Sequence, residues 1–234
     1  MMTGVTARKI FLSLSIIAII SSTTFIFHKT QSRYKVLIRA RKCLDEKRYY
    51  EAVPFLVSAF KMNHADAETG LKLLWDYEHL GMKKEMRQLI YELQDNLPND
   101  IKIKEEFADA CSNMSDYSRA EKFYKEVLGR KRDLRVLMKY AEVLAWQKKY
   151  KETFPLFDEI IVKSNRNPDV IEFLADIAAW AKDYNKASAM YKGLLETGCR
   201  SKKAVTLKLA DALRFAGKNE EAIELYNKYM KEEK

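Results

Sequence analysis

The chain has 234 residues, with 42 Lys and Arg against 33 Asp and Glu and a formal net charge of +9. Three histidines, three cysteines and seven glycines are thin material for catalysis. There is no glycine loop to cradle a phosphate, no Cys-x-x-Cys pair, and no His with a companion at catalytic or metal-ligating spacing. The expectation is a non-enzymatic protein without cofactor or metal.

Residues 1–9 form a short tail ending in Arg8 and Lys9. Residues 10–27, IFLSLSIIAIISSTTFIF, carry no charge over 18 positions. At about 1.5 Å per residue such a helix spans roughly 27 Å, near the minimum for crossing a bilayer. The stretch shows no polar face and is expected to be one transmembrane helix acting as a signal anchor. A cleaved signal peptide is the alternative, with Ser21-Ser22-Thr23 its one candidate site. The short basic N-terminus favours an extracytoplasmic, periplasmic location for the remainder of the chain. Lys29, Arg33 and Lys35 argue for a cytoplasmic one. Residues 28–32 read as a juxtamembrane linker.

From residue 33 onward a pattern recurs at a nearly fixed step. Ala40, Leu74, Ala108, Ala141, Ala175 and Ala210 are separated by 34, 34, 33, 34 and 35 residues. Nine positions after most of these stands a tyrosine: Tyr49, Tyr117, Tyr150 and Tyr184. Twelve positions after come Ala52, Met86, Ala120, Thr153, Ala187 and Ala222. Two antiparallel helices approach closely only where their facing residues are small, so each unit reads as two helices joined by a short turn. The second copy, with Leu74 and Met86, is expected to be splayed or shifted. Gly81 and Gly217 fall in inter-helix turns, where a left-handed residue ends the first helix. Pro54 and Pro155 share one repeat position, about a turn into the second helix, where proline costs less than mid-helix.

The period and pattern resemble the tetratricopeptide repeat. The resemblance implies an all-α, right-handed superhelical solenoid of about six repeats: 33–66, 67–100, 101–133, 134–167, 168–202 and 203–234. It also implies a concave groove lined by the first helix of each repeat. Carried onto this sequence, the groove positions include Trp75, Glu78, Asp109, Glu142, Trp146, Asp176, Trp180, Asp211, Arg214 and Phe215. Of the thirty positions so mapped, ten are acidic and four are Lys or Arg, and all three tryptophans are among them. A basic chain thus turns an acidic surface inward, while Lys122, Lys125, Lys186 and Lys231 fall on the solvated side.

In three successive repeats a ring (Trp146, Trp180, Phe215) comes four residues after a carboxylate (Glu142, Asp176, Asp211), the spacing of one helix face. Rings stack on apolar faces or cations and carboxylates pair with amines, so this ladder suits a protein segment, peptide or helix, or a cationic amino-sugar polymer. The bland reading is that the rings pack on the next repeat and the carboxylates are merely solvated. The anchor together with Ala145-Trp146…Tyr150 and Ala179-Trp180…Tyr184 looks like repeat proteins of exopolysaccharide export systems. The functions implied are a scaffold of the bacterial cell envelope, a chaperone-like assembly factor, or a cytoplasm-facing recruiting scaffold. Basic residues are not clustered on one face with aromatics between them, so no nucleic acid is expected. Ile223, Leu225, Tyr226 and Tyr229 on the last helix offer a surface for a partner or a second copy.

Overall fold

A computed structural model describes the backbone of residues 4–64 and 66–231, and the side chains from 21 to 229 except residue 65. The described residues contain helices and turns and no strand. They divide into two compact units, 1–110 and 111–234.

The N-terminal unit holds α1 (Gly4–Asp45), α2 (Tyr49–Met62), α3 (Ala67–His79), α4 (Lys83–Leu93) and most of α5 (Ile101–Asn113). Helices α1 to α4 pack consecutively, each on the next. The C-terminal unit continues with α6 (Tyr117–Leu128), α7 (Leu134–Trp146), α8 (Tyr150–Thr153), α9 (Phe157–Lys163), α10 (Pro168–Trp180), α11 (Tyr184–Thr197), α12 (Lys202–Phe215) and α13 (Asn219–Lys231). In both units the order is a helix-turn-helix repeat.

Helix α1 runs for 42 residues without a break, about 63 Å. Residues 28–32, expected as a linker, are helical and continue it. Among the described residues no helix is long and apolar enough to cross a membrane. The transmembrane helix expected over 10–27 falls in part on residues 10–20, whose side chains lie outside the described ones. Beyond them Phe25, Ile26 and Phe27 are 61–70% exposed. The helix is fastened at Arg33, whose guanidinium pairs with Asp66 and donates to the Ala59 carbonyl at 3.3 Å.

The small positions sit where the repeat pattern requires. Ala40 and Ala52, Ala141 and Thr153, Ala175 and Ala187, and Ala210 and Ala222 are all at most 1% exposed. Ala108 and Ala120 are equally buried. In the second repeat Leu74 and Met86 are 1% and 2% exposed, so the bulky pair fills the space between α3 and α4 and is not squeezed out of it.

Every repeat turns the same way. Lys47, Gly81, Ser115, Lys148, Lys182 and Gly217, each seven residues after its marker, adopt φ between +56° and +82°. At Gly81 the Met82 N–H reaches back to the Tyr77 carbonyl at 2.8 Å, and the Gly81 N–H donates to Glu78 at 3.0 Å. The same two bonds recur at Gly217, from Lys218 to Leu213 and from Gly217 to Arg214. These close the helix C-terminus and satisfy carbonyls that would otherwise lack donors. Asp116 and Asp183 then cap the next helices through the Arg119 and Lys186 N–H groups.

The two prolines behave differently from one another. Pro54 lies inside an unbroken α2. Pro155 falls in a 3-10 turn, Phe154–Leu156, that separates α8 from α9. Proline lacks the N–H that would continue the ladder, and here the chain tightens around the gap.

The left-handed turn yields a prediction that separates backbone strain from crowding. No atom lies within 4 Å of where a Cβ would stand at Gly81 or Gly217. Gly81→Ala and Gly217→Ala should nevertheless each cost about 1 kcal/mol, because the φ alone penalises an L side chain. Urea midpoints read this directly, and Gly193→Ala, inside α11 where space is also open but φ is ordinary helix, should instead stabilise by about 0.5–1 kcal/mol.

Candidate functional site

The ring positions of the C-terminal unit recur in register. Trp146, Trp180 and Phe215 end α7, α10 and α12 and remain 48–55% exposed. Each meets the tyrosine that opens the second helix of the preceding repeat. Tyr117 stacks on Trp146 at 6.2 Å between centroids with planes 7° apart. Tyr184 stacks on Phe215 at 5.1 Å and 23°. Tyr150 meets Trp180 through its hydroxyl, which donates to the Trp180 carbonyl at 3.2 Å. Trp146 and Trp180 are themselves 5.7 Å apart at 30°. Offset and tilted pairs at these distances contribute beyond simple burial. The rings therefore do two things: one part seals a repeat against the next, and about half the surface stays open.

The carboxylates of the ladder have different fates. Asp176 accepts from the buried Tyr191 hydroxyl at 2.6 Å and from the Lys208 ammonium at 2.8 Å. The same ammonium donates to Glu172 at 2.8 Å. Partial burial pulls the Lys208 pKa down, but the bonds to Asp176 and Glu172 outweigh it and hold the ammonium above its ordinary value. Burial first, and then the bond to Asp176, push the Tyr191 phenol far up. Asp211 accepts from Tyr226 at 2.6 Å and pairs with Arg214 at 3.7 Å. Arg214 also lies 4.2 Å from the Phe215 ring centroid. Glu142 has no hydrogen bond or ion pair among the described residues. The residue fifteen positions after it is Phe157, whereas Asp176 and Asp211 have Tyr191 and Tyr226 there. Without a phenol on that side, Glu142 is the open carboxylate of the three.

The N-terminal unit carries a second ring cluster. Trp75 is 44% exposed and sits edge-on to Tyr49 at 5.0 Å. His79 lies 3.7 Å from the Trp75 ring and 5.7 Å from Tyr49. Its Nδ1 is 2.8 Å from the Trp75 carbonyl. A carbonyl only accepts, so Nδ1 carries the proton and donates. Glu78 is exposed and Asp109 half-buried.

The ten groove residues named from the sequence are thus exposed or half-buried, and each ring of the C-terminal unit is held by a neighbouring repeat. Of the ladder's carboxylates, Asp176 and Asp211 are already engaged within the unit. Sequence reasoning missed Lys208, Tyr191 and Tyr226, which neutralise or cover those acids. Nor did the repeat pattern show that the tyrosines opening the second helices lie against the aromatic end of the next repeat. A signal existed: Tyr49 and His79, Tyr117 and Trp146, Tyr150 and Trp180, and Tyr184 and Phe215 recur at separations of 29 to 31. On the last helix Ile223 is 58% exposed, while Leu225, Tyr226 and Tyr229 are half-buried or exposed. Among the described residues no three His, Cys, Asp or Glu side chains gather as metal ligands.

A tetratricopeptide-repeat family pattern matches residues 27–160, more than half the chain, and the chain belongs to that family. Folds of this family are generally non-enzymatic scaffolds for protein–protein interaction. A tetratricopeptide repeat protein from Parabacteroides merdae is similar at a TM-score of 0.66 and 16% identity, covering 86% of this chain and 80% of that one. PilW, a widely conserved type IV pilus biogenesis factor, is similar at 0.59 and 12%, covering 85% and 92%. YrrB, a repeat protein with an unusual peptide-binding site, is similar at 0.56 and 12%, covering 80% and 88%. At these identities the likeness is one of fold. No curated protein matches the sequence.

The Tyr191 contact generates a graded prediction. Tyr191→Phe removes a buried phenol from a carboxylate and should cost about 1.5–3 kcal/mol of the C-terminal unit's stability. Tyr226→Phe removes the same bond from an exposed Asp211 and should cost less than about 1 kcal/mol. Chemical denaturation followed by circular dichroism compares the two.

Proposed function

We propose that the protein is a non-enzymatic scaffold, tethered to a membrane of the cell envelope through residues 10–27, that holds a partner polypeptide against the ring-bearing face of its C-terminal unit. One observation carries the reading: Trp146, Trp180 and Phe215 stay about half exposed although each is fixed by a neighbour. Half-exposed, immobilised aromatics lose little entropy on binding and supply most of the energy at interfaces. The open Glu142 beside Trp146 adds a preference for a cationic group on the partner. Asp176 and Asp211 are already engaged, so the charge available for a cationic amino-sugar polymer is small. A peptide or helix segment with a basic residue among apolar ones is the better fit.

The tether is supported by the uncharged stretch 10–27, whose last residues Phe25, Ile26 and Phe27 are exposed on the same helix. An extracytoplasmic solenoid serving envelope assembly or exopolysaccharide export is the preferred setting. A chaperone-like assembly factor, or a scaffold recruiting enzymes on the cytoplasmic side, would use the same face.

Two experiments test this. Fluorescent peptides arrayed by charge and aromaticity, and chitosan oligomers as the amino-sugar probe, are titrated against the full chain in mild detergent. Basic, apolar peptides should bind, and Trp146→Ala with Trp180→Ala should weaken them at least tenfold in a folded protein, while Lys122→Ala changes nothing. Equal binding by the double variant, or binding of chitosan alone, would overturn the reading of the face. Separately, the full chain should resist carbonate extraction from membranes and a deletion of 10–27 should release it.

A further inference from the structure

Asp76 on α3 is wholly buried, at 0% exposure, and neither carboxylate oxygen has a hydrogen-bond partner. It stands two residues after its repeat marker. The residues at that place in the later repeats are Ala110, Val143, Ile177 and Ala212, all buried. Asp76 therefore occupies a core position that four other repeats fill with apolar side chains. An ionised carboxylate there would have lost its water and gained nothing in exchange, which is among the costliest arrangements in a protein interior. The helices packed against α3 include α2 and α4, and among the described residues neither brings a charged group to act on the carboxyl. The one charge that does is the His79 imidazole on α3 itself, one turn on.

We propose that Asp76 makes α3 a proton-sensitive element: with the acid neutral the helix packs closely, and ionisation loosens it together with the Tyr49, Trp75 and His79 ring cluster that it carries. Burial pushes the Asp76 carboxyl up to about 6, with His79 acting the other way. In the unfolded chain an aspartate ionises near pH 4, at about 3.9. The folded state thus holds the proton more tightly. Its stability is greatest below about pH 4, falls as pH rises through about 6, and is level above. The sign is opposite to that of a salt-bridged aspartate.

Trp75 is the one tryptophan of the N-terminal unit, next to Asp76, so it reports locally once Trp146→Phe and Trp180→Phe silence the others. Full-length protein of that background, in non-ionic detergent, is unfolded in urea at pH 4.5, 6.0 and 7.5 and monitored by Trp75 emission. The midpoint should fall with pH, the unfolding constant rising between about tenfold and a hundredfold. Adding Asp76→Asn should flatten that trend and raise the midpoint at pH 7.5; Asp76→Val, matching Val143, should do the same. His79→Gln should leave the trend in place. If Asp76→Asn and Asp76→Val keep the original pH trend, or lower the midpoint at pH 7.5, the proposal is wrong. It is equally wrong if His79→Gln alone abolishes the trend.

Discussion

The close approach of paired helices is the constraint on which the rest depends. Ala175 and Ala187, and Ala210 and Ala222, lie on helices packed against each other, and all four residues are at most 1% exposed. Helices held this near each other must be joined by a turn that reverses the chain at once. A left-handed residue closing the first helix does so, and it recurs at one position in all six repeats. At Lys47, Lys148 and Lys182 that conformation costs an L residue roughly 1–2 kcal/mol each. Two backbone hydrogen bonds and the packing of the helix pair outweigh it. Because the turn is fixed, the tyrosine two residues beyond it is fixed as well, and it reaches the aromatic end of the next repeat's first helix. Ring contacts across repeats thus depend on small residues within them.

This hierarchy explains what could be read from the chain. The 34-residue step is a one-dimensional signal, so the helix-turn-helix order and the buried small positions were legible. The turn conformation was visible at Gly81 and Gly217 because glycine advertises it. At Lys47, Ser115, Lys148 and Lys182 local propensity says nothing and tertiary packing decides. The break between α8 and α9 at Pro155 was also beyond reach, since Pro54 at the equivalent place leaves α2 intact. The state of the acids was hardest to foresee. Asp176 is engaged by Tyr191, 15 residues away, and by Lys208, 32 residues away, and no periodic pattern announces that pairing. The signal for Asp76 lay in the register, since it stands where later repeats carry Ala110, Val143, Ile177 and Ala212; its neighbour, an exposed tryptophan, points the other way.

Electrostatics sharpen the picture of the ring-bearing face. Its positions count more acids than bases, yet side chains drawn from other positions, Lys208 above all, take up part of that charge. Of the three ring-paired carboxylates, Asp176 and Asp211 are engaged and Glu142 next to Trp146 is left open. The face is accordingly less a ladder of identical subsites than one aromatic strip with a single free carboxylate beside its first ring. Such a surface distinguishes partners by where a cation falls relative to apolar groups, and that is a property of a defined segment more than of a repetitive polymer.

The most direct test of this account is photocrosslinking of the full-length protein in its own cells. A benzophenone amino acid is placed at Glu142, on the ring-bearing face, and in a second protein at Lys125, exposed on α6. The account predicts a discrete higher-mass adduct from position 142 and none from 125. Adducts from 125 alone, or equally from both, would contradict it.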